Sequence, residues 1–272
     1  MAMKKIVMAA CCWCLGSVVN AQELFAFTEP ASNMAKGNIG LRMNNYIMKE
    51  KEAKGYNYHL IPEVMIGLSK KWMVHLDAFL SNRNQKSLET EGGSIYTKYR
   101  FFSKDGIQKH FRIAAYGRYS FNNSDIHQQE IETYGHNTGY ELGLITTQLL
   151  HKLALSASAS YEKALDNGNG NKFPFADRSS AINYTVSAGK LVLPKKYTTY
   201  GQTNLNLMLE LLGQTNAGNG VSYLDVAPSL QLIFNSKARL DIGYRKQLYG
   251  SMLRTAPNGF MLRLEYNFFN TF

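Results

Sequence analysis

Two methionines and a histidine are the residues of this chain whose types and spacing suit metal chemistry. Met65, Met73 and His75 are separated by even numbers of residues, which in extended strands places side chains on one face. Thioether and imidazole groups suit soft ions such as Cu(I). The alternative is that the methionines fill irregular gaps and that His75 forms an ordinary hydrogen bond. Because no tight ligand motif is present, the soft-metal site is a hypothesis and no cofactor is expected.

The sequence shows no convincing catalytic arrangement. No histidine is followed two residues later by a serine, the spacing that some barrel phospholipases use on one strand face; the nearest match is His136 to Thr138. Asp125 and His127 form an isolated pair typical of a solvated loop. The segment 167–171 has few carboxylates for a Ca²⁺ site, and no glycine-rich phosphate loop occurs. We therefore expect a protein that is not an enzyme.

The elements that would carry these side chains are β-strands. Apolar and polar residues alternate with a period of two along most of the chain, and helical periodicity is scarce. Twelve strands are predicted, near 37–48, 57–69, 73–82, 94–103, 111–121, 139–150, 152–163, 180–192, 198–212, 222–234, 239–249 and 259–272. An even number of strands is typical of single-chain bacterial outer-membrane barrels. The pattern predicts one antiparallel transmembrane β-barrel over 37–272.

The predicted connections fall into two length classes. Short links follow the even-numbered strands, including Asp105-Gly106, which is a tight-turn signal. Longer links follow the odd-numbered strands, with 122–138 and 166–179 the longest. Outer-membrane barrels have short periplasmic turns and longer external loops. This pattern predicts that both termini are periplasmic.

The polar face of the strands is rich in charge. Its principal charged members are Arg42, Glu63, Asp77, Lys98, Arg100, Arg112, Arg118, Glu141, Glu210, Arg245 and Glu265. In a membrane barrel this face lines the lumen, where such groups would set the field and solute preference. A soluble sandwich or lipocalin-like barrel would instead turn its apolar face inward. Since twelve strands enclose a limited interior, we expect a narrow, polar, partly plugged lumen.

The C-terminal residues favour a membrane barrel over a soluble one. Leu262, Leu264, Tyr266, Phe268 and Phe272 share one face of the last predicted strand, which departs from the pattern only at Asn270. An aromatic strand at the end of the chain resembles the sorting strand of bacterial outer-membrane barrels. Phe268 and Phe272 are therefore candidate recognition residues for the barrel-assembly machinery.

The first residues predict export. Lys4 and Lys5 precede an apolar run over 6–19 and the small-residue site at 19–21, which is typical of a cleaved signal peptide over 1–21. A lipoprotein signal is the less favoured alternative. All three cysteines of the chain lie within this segment, so the mature chain is expected to lack disulfides. Residues 22–36 would then form a periplasmic N-terminal segment that is a possible plug.

The excess positive charge of the chain is concentrated near the predicted short turns. The formal net charge is +10, and the lysines concerned are Lys70, Lys71, Lys104, Lys109, Lys152, Lys190, Lys195, Lys196 and Lys237. They are either ordinary solvated turn residues or contacts for anionic phospholipid headgroups of the outer membrane. Nucleic acid is not an expected partner, because the chain is exported and has no nucleic-acid-binding motif.

Four sequence segments resemble a known family. They are Glu23-Leu-Phe-Ala-Phe-Thr-Glu-Pro-Ala-Ser-Asn-Met34, Ile61-Pro-Glu-Val-Met65, Met73-Val-His75 and Phe79-Leu-Ser-Asn82. Together they look like a transporter- or porin-like family of outer-membrane barrels from Bacteroidota, whose genes often lie among heavy-metal handling genes. The resemblance implies an envelope transport role and assigns no residues.

The sequence thus predicts an outer-membrane barrel that acts as a passive channel or transport-associated protein for a small solute or ion of unknown identity. Two alternatives remain. One is a non-catalytic structural or interaction barrel of the cell envelope. The other is an accessory of soft-metal transport that uses Met65, Met73 and His75.

Overall fold

The structure is a computed structural model that describes residues 25–51, 55–82, 87–107, 109–175, 178–196 and 201–272. The predicted signal peptide lies outside these residues. The strands are β1 (Ile39–Lys49), β2 (Tyr56–Gly67), β3 (Trp72–Ser81), β4 (Glu89–Gly106), β5 (Lys109–Asn122), β6 (Gly139–Leu150), β7 (Leu153–Ala164), β8 (Ser180–Leu193), β9 (Asn204–Asn216), β10 (Ser222–Phe234), β11 (Ala238–Gly250) and β12 (Asn258–Phe268). Within the described residues, no helix is long and apolar enough to cross a membrane.

The strands form one closed antiparallel barrel. Each strand pairs with its neighbours in the chain, and β1 closes the sheet by pairing with β12. Closure leaves no unpaired edge of the kind that makes open sheets prone to association. The predicted fold class and the number of strands are therefore confirmed.

The exterior of the barrel is apolar. Outward-facing leucines and aromatic residues are strongly exposed, for example Leu142 at 59%, Leu207 at 50% and Phe260 at 56%. The alternate positions of the same strands are buried and mostly polar: Glu210 is fully buried between the exposed Leu209 and Leu211. An apolar outer surface of this kind is the one that a lipid bilayer covers. The apolar face therefore lies outside, not in a dry core as the soluble alternative requires.

Three predicted strands differ from those observed by more than two residues at an end. The prediction that β12 runs to Phe272 is wrong, because the strand ends at Phe268. Asn270 has a φ of +52°, a left-handed conformation that ends an extended strand. Its backbone N–H donates to the Asn38 side chain, and Thr271 N–H donates to the Gly37 carbonyl. The C-terminal residues thus pack beside the start of β1, and a sorting role for Phe268 and Phe272 stays a prediction.

The other two differences concern β4 and β9. β4 extends well beyond its predicted 94–103, because its pairing with β5 continues to Gly106 and its pairing with β3 begins at Glu89. β9 begins at Asn204, after three described residues that are not in a strand, and the predicted start at 198 lies outside the described residues. Apolar alternation alone misses such ends, since pairing with a neighbour extends a strand through polar residues.

The N-terminal segment, residues 25–36, lies inside the barrel. Phe25 packs against Met208 and Met261 from the wall, and Ala26 and Ala31 are fully buried. A side chain in place of the hydrogen at Gly67 on β2 would collide with the Ala35 carbonyl. The segment therefore occupies interior space from the end of the barrel where β1 begins.

Candidate functional site: a closed chamber inside the barrel

The interior of the barrel holds a dense network of charges centred on Arg42. Its guanidinium lies 2.8 Å from Glu29 of the N-terminal segment, 3.2 Å from Glu63 and 2.9 Å from Glu265. Register explains two of these contacts, because Arg42 stands directly opposite Glu63 on β2 and Glu265 on β12. Buried charges are tolerated when they are paired in this way.

The other predicted lumen charges are distributed along the barrel. Lys98 is fully buried and donates to the Pro30 carbonyl at 2.7 Å. Arg118 pairs with Asp77 at 3.0 Å and lies over the Tyr96 and Tyr134 rings at 5.1 and 4.3 Å.

Two predicted arginines lie toward the short-turn end. Arg100 donates to the Lys70 carbonyl at 2.6 Å, and Arg112 contacts Asp105 at 3.0 Å and Ser32 at 2.8 Å. These arginines hold turns and the N-terminal segment in place instead of lining open space.

The predicted soft-metal residues all point inward and are buried. Met65, Met73 and His75 are at most 3% exposed. The register places Met65 opposite His75 and Met73 opposite Gly67, so the two methionines are not directly opposite each other. The soft-metal hypothesis stays a prediction.

A different grouping brings potential metal ligands close together. Ligand atoms of Glu29, Glu63 and His75 all lie within 4.8 Å of one another. His75 Nδ1 is 2.5 Å from Glu63. However, Arg42 contacts both carboxylates and Lys98 lies 3.6 Å from Glu29. Two fixed cations already compensate these acids, which disfavours a further cation there.

The N-terminal segment is fixed by one carboxylate on β9. Glu210 accepts the backbone N–H groups of Ala26, Phe27 and Thr28, each at 2.9 Å, and the Thr28 hydroxyl at 2.7 Å. Hydrogen bonds to a charged group are among the strongest that proteins make. The Glu210 carboxylate consequently faces the segment and not an open pore.

The long loop 123–138 folds into the opposite end of the barrel. The backbone N–H of Thr133 donates to Glu162 at 2.6 Å, and that of Ile131 donates to Gln214 at 2.9 Å. Both acceptors are buried wall residues on β7 and β9. The loop therefore closes the end of the barrel that carries the longer connections.

An ion-pair cluster locks this loop to a second one. Glu130 lies 2.7 Å from Arg254, which belongs to the connection between β11 and β12, and 3.2 Å from Arg245. Arg254 also pairs with Asp225 at 2.8 Å and lies 3.7 Å over the Tyr223 ring. Burial raises the pKa of Glu130, but the two guanidinium groups outweigh it and lower the pKa to about 2. The lock is therefore fully ionised at neutral pH.

A chamber of about 220 Å³ remains between the N-terminal segment and loop 123–138. The N-terminal segment contributes Phe27, Thr28 and Glu29 to its lining, and the loop contributes Glu130, Ile131, Glu132 and Tyr134. Wall residues from most strands complete it, among them Arg42, His75, Tyr96, Arg118, Glu141, Glu162 and Arg245. The N-terminal segment and loop 123–138 thus narrow a polar compartment inside the barrel from its two ends.

Several residues of the chamber escaped prediction because they are not on strands. Glu29, Glu130, Glu132 and Tyr134 come from the N-terminal segment and from loop 123–138. Period-two alternation gives no information about such residues. Two weaker signals were available: the position of Glu29 within the possible plug 22–36, and the acidic character of 123–138.

Comparison with solved structures places the fold among outer-membrane channels. An outer-membrane channel from Pseudomonas putida F1 superposes with a TM-score of 0.56 at 11% identity, over 89% of this chain and 99% of that one. The KdgM porin gives 0.49 at 9% identity over 84% and 99% of the two chains. The CymD monoaromatic hydrocarbon channel gives 0.47 at 10% identity over 93% and 94%.

No protein-family model matches this chain, and no curated protein matches it by sequence. The resemblance to a Bacteroidota family and its link to metals therefore stay predictions. At such low identity, the structural likeness shows a shared fold alone. The chain has the closed antiparallel β-barrel fold that the Pseudomonas putida outer-membrane channel also has.

Proposed function

We propose that this protein is an outer-membrane channel for small polar solutes that is closed at rest. The observation that carries the proposal is the chamber: an apolar barrel exterior surrounds a polar compartment, and chain segments, not the wall itself, obstruct both of its ends. Similarity in fold to an outer-membrane channel supports it. Both termini would be periplasmic, because periplasmic turns are the short ones in such barrels.

The channel would open by movement of the N-terminal segment and of loop 123–138. Withdrawal of the N-terminal segment breaks its contacts with Glu210, and release of loop 123–138 breaks those of Glu130 with Arg254. Neither step disturbs a strand pair of the barrel, because the ladders are complete without them. Solute passage therefore requires rearrangement of two segments within a fixed wall.

Ion conductance in planar bilayers tests this function. Purified full-length protein should conduct rarely. The double variant Glu210→Ala/Arg254→Ala should conduct more often, because it frees both the N-terminal segment and loop 123–138. The matched control is Glu89→Ala/Arg178→Ala, since both residues are exposed. If wild type and Glu210→Ala/Arg254→Ala are both silent while remaining folded, the protein does not function as a channel.

The second candidate is a non-catalytic interaction barrel of the cell envelope. The extent of ion pairing inside the barrel favours it, because the network around Arg42 fills space that an open pore would leave to water. Absence of conductance in the variants described above, together with a folded barrel in the outer membrane, would support this function.

A further inference from the structure

The chamber contains a pair of carboxylates with no cationic partner. Glu141 on β6 and Glu162 on β7 stand directly opposite each other in the strand register. Both line the chamber. Among the described residues, no lysine or arginine nitrogen forms an ion pair with either of them. Like charges directly opposite across two strands destabilise a sheet, so a compensating positive charge, either a proton or a bound cation, stabilises this pair.

The neighbouring arginine does not supply that charge. Arg118 on β5 is opposite Glu141 in the register. Its guanidinium is instead paired with Asp77 at 3.0 Å and held over the Tyr96 and Tyr134 rings. Arg42 and Arg245 are likewise engaged with other carboxylates. The nearby cations are therefore already committed to other acids.

The two carboxylates are held in place by neutral donors. Glu141 Oε1 accepts from Tyr116 at 2.7 Å and from Ser160 at 2.6 Å. Glu162 accepts from the Thr133 N–H at 2.6 Å and from Asn183 at 2.8 Å. These bonds fix the carboxylates without neutralising them, and no contact in the described residues occupies Glu141 Oε2.

A second, independent feature indicates a ligand in the same chamber. Tyr96 and His75 line it and are each 2% exposed. The Tyr96 hydroxyl and His75 Nε2 have no hydrogen-bond partner among the described residues. Buried polar atoms are rarely left unpaired. The Tyr96 ring lies 5.4 Å from the Tyr116 ring. Because the Tyr116 hydroxyl donates to Glu141, the unpaired Tyr96 hydroxyl lies in the same part of the chamber as the carboxylate pair.

We infer that the chamber binds a small organic cation carrying a primary ammonium group, with Glu141 and Glu162 as its counter-charges. The described lining contains six glutamates and four arginines, so it is acidic within a chain of net charge +10. An ammonium has three donors and no acceptor, which matches carboxylate oxygens and the Tyr96 hydroxyl. Tyrosine faces add favourable contact with a cation.

The chamber is less suited to a bare metal ion. Three of the four carboxylate oxygens in the pair already accept hydrogen bonds, whereas hard divalent cations take six or more oxygen ligands. A space of about 220 Å³ also greatly exceeds the roughly 10–15 Å³ that a single water requires. An organic cation fills that space with its carbon chain.

The inference names the ligand class of the proposed channel and so rests on that function, but binding can be measured without conduction. Folded full-length protein in detergent should be titrated calorimetrically with 1,4-diaminobutane, with its neutral analogue 1,4-butanediol, and with Ca²⁺. We expect the diamine to bind and the diol not to bind. Glu141→Gln and Glu162→Gln should each weaken diamine binding at least about tenfold, a loss of about 1.4 kcal/mol.

Glu89→Gln is the matched control, because Glu89 is exposed at the start of β4 and outside the chamber; it should leave binding unchanged. Heat-modifiable mobility confirms that each variant is folded. No diamine binding, binding by both chamber variants with the affinity of the wild type, or binding of Ca²⁺ in place of the diamine would overturn the inference. Conductance without diamine binding would reject the cation site and leave the proposed channel function standing. Diamine binding without conductance would support the cation site and reject the channel function.

Discussion

Glu210 on β9 holds Thr28 of the N-terminal segment through two separate hydrogen bonds, from the backbone N–H at 2.9 Å and from the hydroxyl at 2.7 Å. Two more N–H groups, those of Ala26 and Phe27, converge on the same carboxylate. One buried side chain therefore ties the N-terminal segment to the barrel wall. The segment has no β-ladder of its own to hold it there.

Removal of this carboxylate should release the segment. Each hydrogen bond to a charged group contributes about 1.5–3 kcal/mol, so Glu210→Ala should expose Ala31, which is fully buried. The measurement is the rate of thiol labelling of Ala31→Cys, which should rise at least about tenfold in the Glu210→Ala background. Glu89→Ala is the control with an exposed glutamate. Equal labelling rates in both backgrounds would show that other contacts hold the segment.

The lock between Glu130 and Arg254 should resist acid. The folded pKa of Glu130 is lowered to about 2 from 4.5, so its contribution to loop closure is present above pH 4.5 and is lost as the pH falls through about 2. Thiol labelling of Ile131→Cys, which replaces a buried loop residue, should stay slow between pH 7 and pH 5. For the acid range, protease resistance of the loop should persist at pH 4 and disappear toward pH 2.

Glu130→Gln supplies the reference for that experiment. It removes the titrating charge, so the loop should be protease-sensitive at every pH tested. Loss of resistance by the wild type already near pH 4.5 would mean that the arginines do not hold Glu130 ionised.

A charge on the exterior should impair folding. Leu207 is 50% exposed on the outer face, and an arginine facing lipid near the midplane costs roughly 2–4 kcal/mol. Leu207→Arg should therefore reduce the yield of heat-modifiable barrel in lipid vesicles. Leu253→Arg is the matched control, because Leu253 is exposed in the connection between β11 and β12. Normal folding of Leu207→Arg would place that face away from lipid.

Orientation can be tested with single cysteines. Asn169 lies in the long connection after β7 and Ser236 in the short turn after β10, and both are exposed. In intact cells, Asn169→Cys should react with a membrane-impermeant thiol reagent and Ser236→Cys should react only after lysis. The opposite result would reverse the proposed topology and place the termini outside the cell.

The sequence by itself determined the wall of this protein. Period-two alternation of apolar and polar residues identified all twelve strands, and the alternation of short and long links indicated antiparallel neighbours. It also placed Arg42, Glu63, Lys98 and Glu210 on the inward face, where the structure has them. A strand allows this because each side chain can face only one of two sides.

Only the tertiary structure decided what fills the barrel. Register, which no single strand encodes, set Glu141 opposite Glu162, and Met65 opposite His75 instead of Met73. The positions of the N-terminal segment and of loop 123–138 depend on contacts between residues far apart in the chain, such as Ala26 with Glu210. Irregular segments have no periodic pattern to reveal their buried side, so their place in the lumen follows from the hydrogen-bond and charge partners that the closed barrel brings within reach.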